Sequence, residues 1–232
     1  MKLQSLFENR DNPNFQQWFG DSVVVDNTGN PLKVYHGTGN MAGIDSFDPK
    51  YTGKGADQLG SGFYFTTNAS VASGYVGRRS VHEPKQGGED SPGVLPVYLS
   101  IQNPIVLQFD DATIDIVELT TSQAYKIMLK SPGLRDLDNS RLGDWYDIWS
   151  EGISDAQIRN VARHYKNIMH LENEFFDDHS DLFRRTLHAV TGYDGVVQNF
   201  EGDTHYVAWF PEQIKSVFNS GGYDRNDHGI MR

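Results

Sequence analysis

The pattern of hydrophobic and polar positions divides the chain into three parts, with strand-like segments near both ends and helical periodicity between them. Short apolar runs bounded by turn residues predict strands at 23–25, 32–35, 62–66, 95–101, 105–109, 195–197 and 205–210. The turn-rich residues between the first two runs predict a hairpin. Phe15, Trp18 and Phe19 recur at helical spacing and predict a first helix, and Asn68 is a predicted N-cap for a helix over 69–76. This order predicts an α+β fold.

The middle of the chain, 110–190, repeats its apolar positions with the period of a helix. Ser154 and Gln157 form a capping box at the start of a predicted helix over 154–171. The apolar stripe of that helix consists of Ile158, Val161, Ala162, Tyr165, Ile168 and Met169. A further helix is predicted around 175–190, with Gly192 as its C-terminal glycine. We therefore expect one domain over 1–232, with 110–190 as a helical insertion.

Three polar stretches predict loops. Residues 39–62 contain several glycines, 77–94 are rich in glycine, proline and charge, and the tail from Asn219 is rich in glycine and aspartate. Such compositions favour turns and irregular structure. We expect 77–94 to be a mobile surface loop and the C-terminal tail to be loosely held.

Composition narrows the possible chemistry. The chain has 232 residues, a formal net charge of −11 and no cysteine, which excludes disulfides, Cys-ligated zinc and a thiolate nucleophile. The negative charge disfavours non-specific binding to phosphate backbones. No run approaches the ~20 apolar residues of a membrane span, and the first residues lack the apolar core of a secretory signal. We expect a cytoplasmic protein without a membrane partner.

Two groups of residues in the first half stand out together. His36-Gly37-Thr38 ends a predicted strand, and Gly60-Ser61-Gly62-Phe63-Tyr64-Phe65-Thr66 follows after a glycine-rich stretch. Tyr75 lies eleven residues beyond Tyr64 (75 − 64 = 11). The glycines form neither a P-loop nor a Rossmann fingerprint. Each residue by itself is more typical of a loop or a structural position than of a catalytic one.

As an ordered set, these motifs closely resemble the ADP-ribosyltransferases of the diphtheria-toxin and poly(ADP-ribose) polymerase type. Two C-terminal segments, 192–197 and 206–216, resemble the branch found in phage polyvalent proteins, as do 18–22 and 95–99. The resemblance covers roughly 15–110 and 190–225 and leaves the helical middle unmatched. It implies a split mixed β-sheet core that binds NAD as its substrate.

The resemblance also implies a role for each motif residue. Tyr64 and Tyr75 would sandwich the nicotinamide, which suits an aromatic cation. The Gly37 backbone would bond the nicotinamide carboxamide, and His36 would bond the adenosine-side ribose. Thr38 would support that strand. Ala72 stands where a hydroxyl side chain commonly lies near the carboxamide.

The sequence departs from the pattern at one position. Polymerase-type enzymes place a glutamate directly before the last Tyr-hydrophobic run, where this chain has His205. A carboxylate there stabilises the positive charge that develops on the ribose. Asp203 is the preferred replacement because it shares a strand face with His205. Glu201 and Glu212 are the alternatives.

These observations predict a mono-ADP-ribosyltransferase that releases nicotinamide, without a metal, and whose catalytic residues are His36, Tyr64, Asp203 and His205. The acceptor would be a macromolecule, and the acidic balance favours protein over duplex DNA, with nucleic acid left open. The alternatives are a catalytically impaired module that binds NAD or ADP-ribose, an NAD glycohydrolase, and a structural phage component. A phage-encoded protein delivered into a host cytoplasm would look the same in sequence. Histidines of the helical middle lack the i, i+4 spacing of a metal pair.

Overall fold

The computed structural model describes residues 11–52, 58–76, 91–108, 117–132, 134, 154–200 and 202–232. The chain forms two compact units, one of Met1–Asp110 with Tyr193–Arg232 and the other of Asp111–Gly192. Most of the loop expected at 77–94 lies outside the described residues. The assignment of one domain with an insertion stays a prediction. None of the helices in the described ranges is long and apolar enough to cross a membrane.

The described part of the first unit contains a seven-stranded mixed sheet, in the order β4-β5-β6-β2-β1-β3-β7. In chain order its strands are β1 (Val34–Thr38), β2 (Phe63–Thr66), β3 (Gly93–Leu99), β4 (Ile105–Leu107), β5 (Gly195–Phe200), β6 (Asp203–Ala208) and β7 (Ile214–Ser216). The pair β4–β5 is parallel and the other pairs are antiparallel. Helix α1 (Pro13–Phe19) and the short helix α2 (Ala69–Ser73) belong to the same unit. The predicted α+β fold with a mixed sheet is confirmed.

Two apolar clusters stabilise this unit. One fills a face of the sheet and includes Val34, Phe63, Phe65, Val97, Leu99, Val197, Tyr206 and Ile214. The other joins the aromatic face of α1 to Tyr98, Val217 and Tyr223. Phe15, Trp18 and Phe19 are all buried, so the predicted single apolar face of the first helix is confirmed.

The C-terminal tail is firmly held, and the prediction of a loose tail is wrong. The Asn219 amide donates to the carbonyls of Ile230 and Arg232 at 3.0 and 2.8 Å. Tyr223 and Ile230 are buried. The tail contains few apolar residues, but two of them reach the core, and side-chain amides satisfy its backbone. Its composition alone therefore hides how it is anchored.

Several predicted boundaries differ in the structure. Residues 23–25 form no strand: Val25 makes a single bridge with Pro31, and the Val23 amide donates to the Ile101 carbonyl at 2.8 Å instead of continuing that pairing. Strand β7 was not predicted, since it is short and follows the helical turn Pro211–Gln213 directly. The predicted helix over 69–76 ends at Ser73, just before Gly74.

The second unit is helical, with α3 (Thr121–Met128), α4 (Asp155–Ala162), α5 (Ile168–Phe175) and α6 (Ser180–Thr191). The capping box of Ser154 and Gln157 is confirmed. Gly192 ends α6 at φ 81°, as its predicted role requires. The single helix predicted over 154–171 is wrong, because Asn167 caps a new helix, its side chain accepting from the amide of His170 at 3.0 Å.

Lys215 is a buried cation that anchors the tail. Its Nζ donates to the carbonyls of Asp227 and Gly229 at 2.8 and 2.7 Å. Burial lowers the pKa of Lys215, although Asp227, Asp224 and Glu212 partly oppose that shift. The ammonium thus satisfies two carbonyls that would otherwise lack a donor.

We expect Lys215→Met to lower the free energy of unfolding by about 1–3 kcal/mol, because both carbonyls lose a charged donor while the side-chain volume is nearly kept. Urea denaturation measures the change. Lys130→Met, at an exposed position, is the control and should change stability by less than about 0.5 kcal/mol. Equal stability of the two variants would show that Lys215 does not anchor the tail.

Candidate active site

The candidate site lies where β6, β2 and β1 run side by side in the middle of the sheet. Thr66 pairs with His205 on one side and with Tyr35 on the other. Paired residues of a sheet project from the same face, and successive residues alternate between faces. Tyr64 and His205 therefore share a face, together with Asp203.

The ladder between β1 and β2 is very short. A single residue pair, Tyr35 and Thr66, links β1 to β2, although both strands form longer ladders with their other neighbours. Beside this pair the Tyr64 carbonyl bonds Nδ1 of His36 at 2.8 Å. Because an unpaired buried carbonyl is costly, the imidazole takes the place of a backbone donor between the two strands.

The same hydrogen bond fixes the tautomer of His36. A carbonyl only accepts, so Nδ1 carries the proton. The ring packs against Phe47 and Phe65, with centroid distances of 5.0 and 5.4 Å. Burial lowers the pKa of His36, and the bond to the Tyr64 carbonyl opposes the shift only in part. At neutral pH the ring is uncharged and its Nε2 is a hydrogen-bond acceptor.

Gly37 is required by the close approach of α2 to β1. A Cβ at this position would lie 1.9 Å from the Ala72 carbonyl oxygen and 3.3 Å from Cβ of Tyr75. Ala72 is only 1% exposed, so its side chain packs rather than presenting a surface to a ligand. Asn68 starts this helix by accepting from the Ser70 amide at 2.9 Å, which confirms the predicted N-cap. The glycine thus brings α2 and Tyr75 against the end of β1.

The two tyrosines differ in exposure. The Tyr64 hydroxyl donates to the Gly60 carbonyl at 2.7 Å and accepts from the Leu59 amide at 3.2 Å. These bonds fix the ring and hold the preceding loop beside it. Tyr75 is 49% exposed, so a planar ligand can reach its side chain.

Asp203 accepts hydrogen bonds from several donors at once. The donors are the hydroxyls of Thr66 and Thr67, the Thr67 amide, and the Thr204 amide at 2.7 Å. Nε2 of His205 lies 3.3 Å from its Oδ2. Burial acts to raise the pKa of Asp203, but the hydrogen bonds from Thr66, Thr67 and Thr204, with an electrostatic contribution from the neighbouring His205, outweigh it, so the pKa is lowered. The ionised carboxylate thus links β6 to the end of β2 by hydrogen bonds.

His205 is partly accessible. Its side chain is 24% exposed, and its ring packs against Phe200 with centroids 4.6 Å apart. Its partners across the sheet are Thr66 and Gln198, which are both uncharged. The side chain is therefore held between two neutral neighbours and one carboxylate.

The remaining predicted residues lie apart from this cluster. The Thr38 hydroxyl accepts from the Asn40 amide at 3.2 Å and so stabilises the turn after β1. Glu212 lies in the helical turn after β6, with Oε2 3.5 Å from Nε2 of His228. Glu201 lies outside the described residues. Across the described ranges, no three His, Asp or Glu side chains are grouped as metal ligands would be.

Sequence reasoning missed the residues that hold the site in place. Thr66 and Thr67 fix Asp203, and Leu59 and Gly60 hold the Tyr64 hydroxyl. Consecutive threonines at the end of a strand were a usable signal, since hydroxyls there can hold a carboxylate on the neighbouring strand. Recognising it requires the β2–β6 register, which links residues 137 positions apart.

A comparison with protein families gives one match. The model of the family described as ADP-ribosyltransferase in polyvalent proteins matches residues 26–223. No curated protein and no solved structure matches the chain significantly. The matched range includes every strand of the sheet and all the residues of the candidate site.

We expect Gly37→Ala to destabilise the protein by about 1–3 kcal/mol or more, because the new methyl group would collide with a backbone carbonyl. The matched control is Gly39→Ala, whose Cβ would meet only the Val76 carbonyl oxygen, at 3.8 Å. Thermal or urea denaturation of both variants provides the measurement. A Gly37→Ala protein as stable as the control would contradict the close approach of α2.

The lowered pKa of Asp203 predicts that the stability of the protein depends on pH. Its folded pKa lies below the unfolded value of 3.8, so its contribution is present above that pH and is lost as pH falls through the folded pKa. We expect Asp203→Asn to cost roughly 2 kcal/mol near neutral pH, with the difference from wild type shrinking in acid below about pH 4. Urea denaturation at several pH values tests this. Asp21→Asn, at an exposed carboxylate, is the control, and a constant difference for Asp203→Asn would refute the assignment.

Proposed function

The chain belongs to the ADP-ribosyltransferase family of polyvalent proteins, and from that premise we propose that it is a mono-ADP-ribosyltransferase. It would cleave NAD, release nicotinamide and attach ADP-ribose to a macromolecular acceptor. The observation that carries the proposal is the approach of Tyr75 to Gly37 at the end of β1, next to strands β2 and β6 whose shared face carries Tyr64 and an ionised Asp203.

The nicotinamide would lie beside Gly37, between Tyr64 and Tyr75. Tyr64 is fixed through its hydroxyl and Tyr75 is half exposed. A planar ring could therefore enter beside Tyr75 and stack on Tyr64. Tyrosine faces attract a cationic ring. That attraction is lost when the nicotinamide leaves as a neutral molecule, which favours release of the product.

His36 would bind a ribose hydroxyl. Its Nδ1 proton is committed to the Tyr64 carbonyl, and burial keeps the ring neutral by lowering its pKa. The remaining nitrogen, Nε2, can therefore only accept a hydrogen bond. A sugar hydroxyl is a suitable donor, in agreement with the role that family resemblance implies for this residue.

Cleavage of the bond to nicotinamide places positive charge on the ribose. Asp203 is ionised and lies on the same sheet face as Tyr64, so it can stabilise that charge electrostatically. His205 occupies the place of the polymerase glutamate, which favours transfer of a single ADP-ribose over chain building. The net charge of −11 favours a protein acceptor over duplex DNA.

One observation favours a second candidate function. The Asp203 oxygens are already engaged by Thr66, Thr67 and Thr204, which limits their ability to contact a substrate. A protein with no freer carboxylate at the ribose would bind NAD or ADP-ribose without turning it over. The experiment below separates a recognition module of this kind from an enzyme.

Incubation with NAD labelled in its adenylate part and with cell lysate tests the proposal. Labelled macromolecules together with free nicotinamide support a transferase, and free ADP-ribose alone identifies a glycohydrolase. NAD binding in calorimetry without nicotinamide release identifies the recognition module. Neither binding nor release by folded protein would refute the proposal.

Tyr75→Ala should weaken NAD binding by roughly tenfold, since stacking of an aromatic side chain on a base is worth about 1–3 kcal/mol. Calorimetric titration with NAD measures it. The matched control is Phe218→Ala, which removes another exposed aromatic ring, located after the edge strand β7. Equal NAD affinity of the two variants would show that Tyr75 does not stack on the ligand.

A further inference from the structure

Asp203 and His205 form a pair whose chemistry is fixed by their surroundings. Nε2 of His205 lies 3.3 Å from Oδ2 of Asp203. The ionised carboxylate repels a lone pair on the facing Nε2, so it favours the neutral His205 tautomer that carries its proton on Nε2. The other ring nitrogen, Nδ1, then carries a lone pair, and no hydrogen bond links it to any residue in the described ranges.

The two members of the pair differ in what they can offer a substrate. The Asp203 side chain is 12% exposed and its oxygens are held by the β2 threonines and the Thr204 amide. The His205 side chain is 24% exposed. A proton acceptor must reach the group that it deprotonates, and in this pair the better placed group is the imidazole.

We propose that Nδ1 of His205, aligned by Asp203, accepts the proton that the acceptor nucleophile loses during ADP-ribosyl transfer. This inference rests on the proposed transferase function and assigns the proton's destination within it. His205 is then the catalytic base, and Asp203 is a positioning residue that acts through it.

The step balances without a further reactant. The bond between the ribose anomeric carbon and the nicotinamide nitrogen breaks, and its electron pair stays on that nitrogen. A lone pair of the nucleophile forms the new bond to the anomeric carbon. The proton of its O–H or N–H group moves to Nδ1 of His205, and the imidazolium later releases it to water.

Asp203 makes this proton transfer compatible with a cationic transition state. An isolated imidazolium would repel the positive charge on the ribose. With Asp203 ionised, the pair carries one negative charge before proton transfer and none after it, so it never presents a net positive charge. Thr66 and Gln198, which flank His205 across the sheet, add no charge. An aspartate also orients the catalytic histidine of serine hydrolases, although there it faces the other ring nitrogen.

The test compares nucleophiles that do and do not lose a proton. Nicotinamide release from NAD is measured for the full chain with cell lysate as the source of acceptors, and again with added azide. Azide is an anion with no proton to lose and therefore needs no base. The variants are His205→Ala and Asp203→Asn. His164→Ala is the matched control, because it removes an exposed histidine that lies outside the candidate site.

With lysate, His205→Ala should lower the rate of nicotinamide release by about 100-fold or more, the usual contribution of a general base. Azide should restore most of that loss, and NAD affinity should stay within about twofold of wild type because the ring makes no contact with the nicotinamide in this scheme. Asp203→Asn should show a smaller loss that azide repairs only in part, because this variant also removes the negative charge that stabilises the ribose cation. His164→Ala should match wild type with both nucleophiles.

The outcomes separate this inference from the proposed function. Wild-type activity with an equally active His205→Ala overturns the inference alone, as does a folded, NAD-binding His205→Ala that azide cannot restore. A wild-type protein that binds NAD but releases no nicotinamide with either nucleophile refutes the proposed function and the inference with it. If Asp203→Asn fails to fold, the response of His205→Ala to azide still decides the result.

Discussion

The hydrogen bond from the His36 ring to the Tyr64 carbonyl is the contact on which the arrangement of the site depends. β1 and β2 share a single residue pair, so backbone bonding alone does not hold the two halves of the sheet in register near Gly37. The imidazole supplies the missing donor at 2.8 Å and is itself held by Phe47 and Phe65. The His36 side chain thereby links β1 to β2. The same bond holds the ring proton on Nδ1, so Nε2 is left as a hydrogen-bond acceptor.

The carboxylate of Asp203 has a comparable double role where β6 begins. It ties the start of β6 to the threonines that end β2, and its charge favours the His205 tautomer that is protonated on Nε2. The donors that satisfy this partly buried charge also keep it ionised. His36 and Asp203 therefore each link two strands of the sheet and also supply a polar group to the candidate site.

Short spacings in the sequence predicted helix faces and helix ends, but they did not predict the contacts between distant segments. The aromatic face of α1, the capping box of Ser154 and the glycine after α6 follow from short spacings and were predicted. The order of the site motifs indicated the family. The anchored tail and the clasp around Asp203 depend on pairing across 11–13 and 137 positions, and such pairing follows from the register of the finished sheet rather than from residue preferences. Gly37 was assigned to ligand binding, and the structure adds the close approach of α2 as a reason for that glycine.

The sheet order has a consequence for how the protein is made. β2 lies between β1, which precedes it, and β6, which begins more than a hundred residues later. A ribosome that has completed the histidine and tyrosine motifs has not yet synthesised the strand that carries Asp203 and His205. Contacts of such large sequence separation form late, because the intervening chain must first be ordered. The growing polypeptide therefore cannot carry out the proposed chemistry, and competence arises only when the last strands leave the ribosome and insert beside the first.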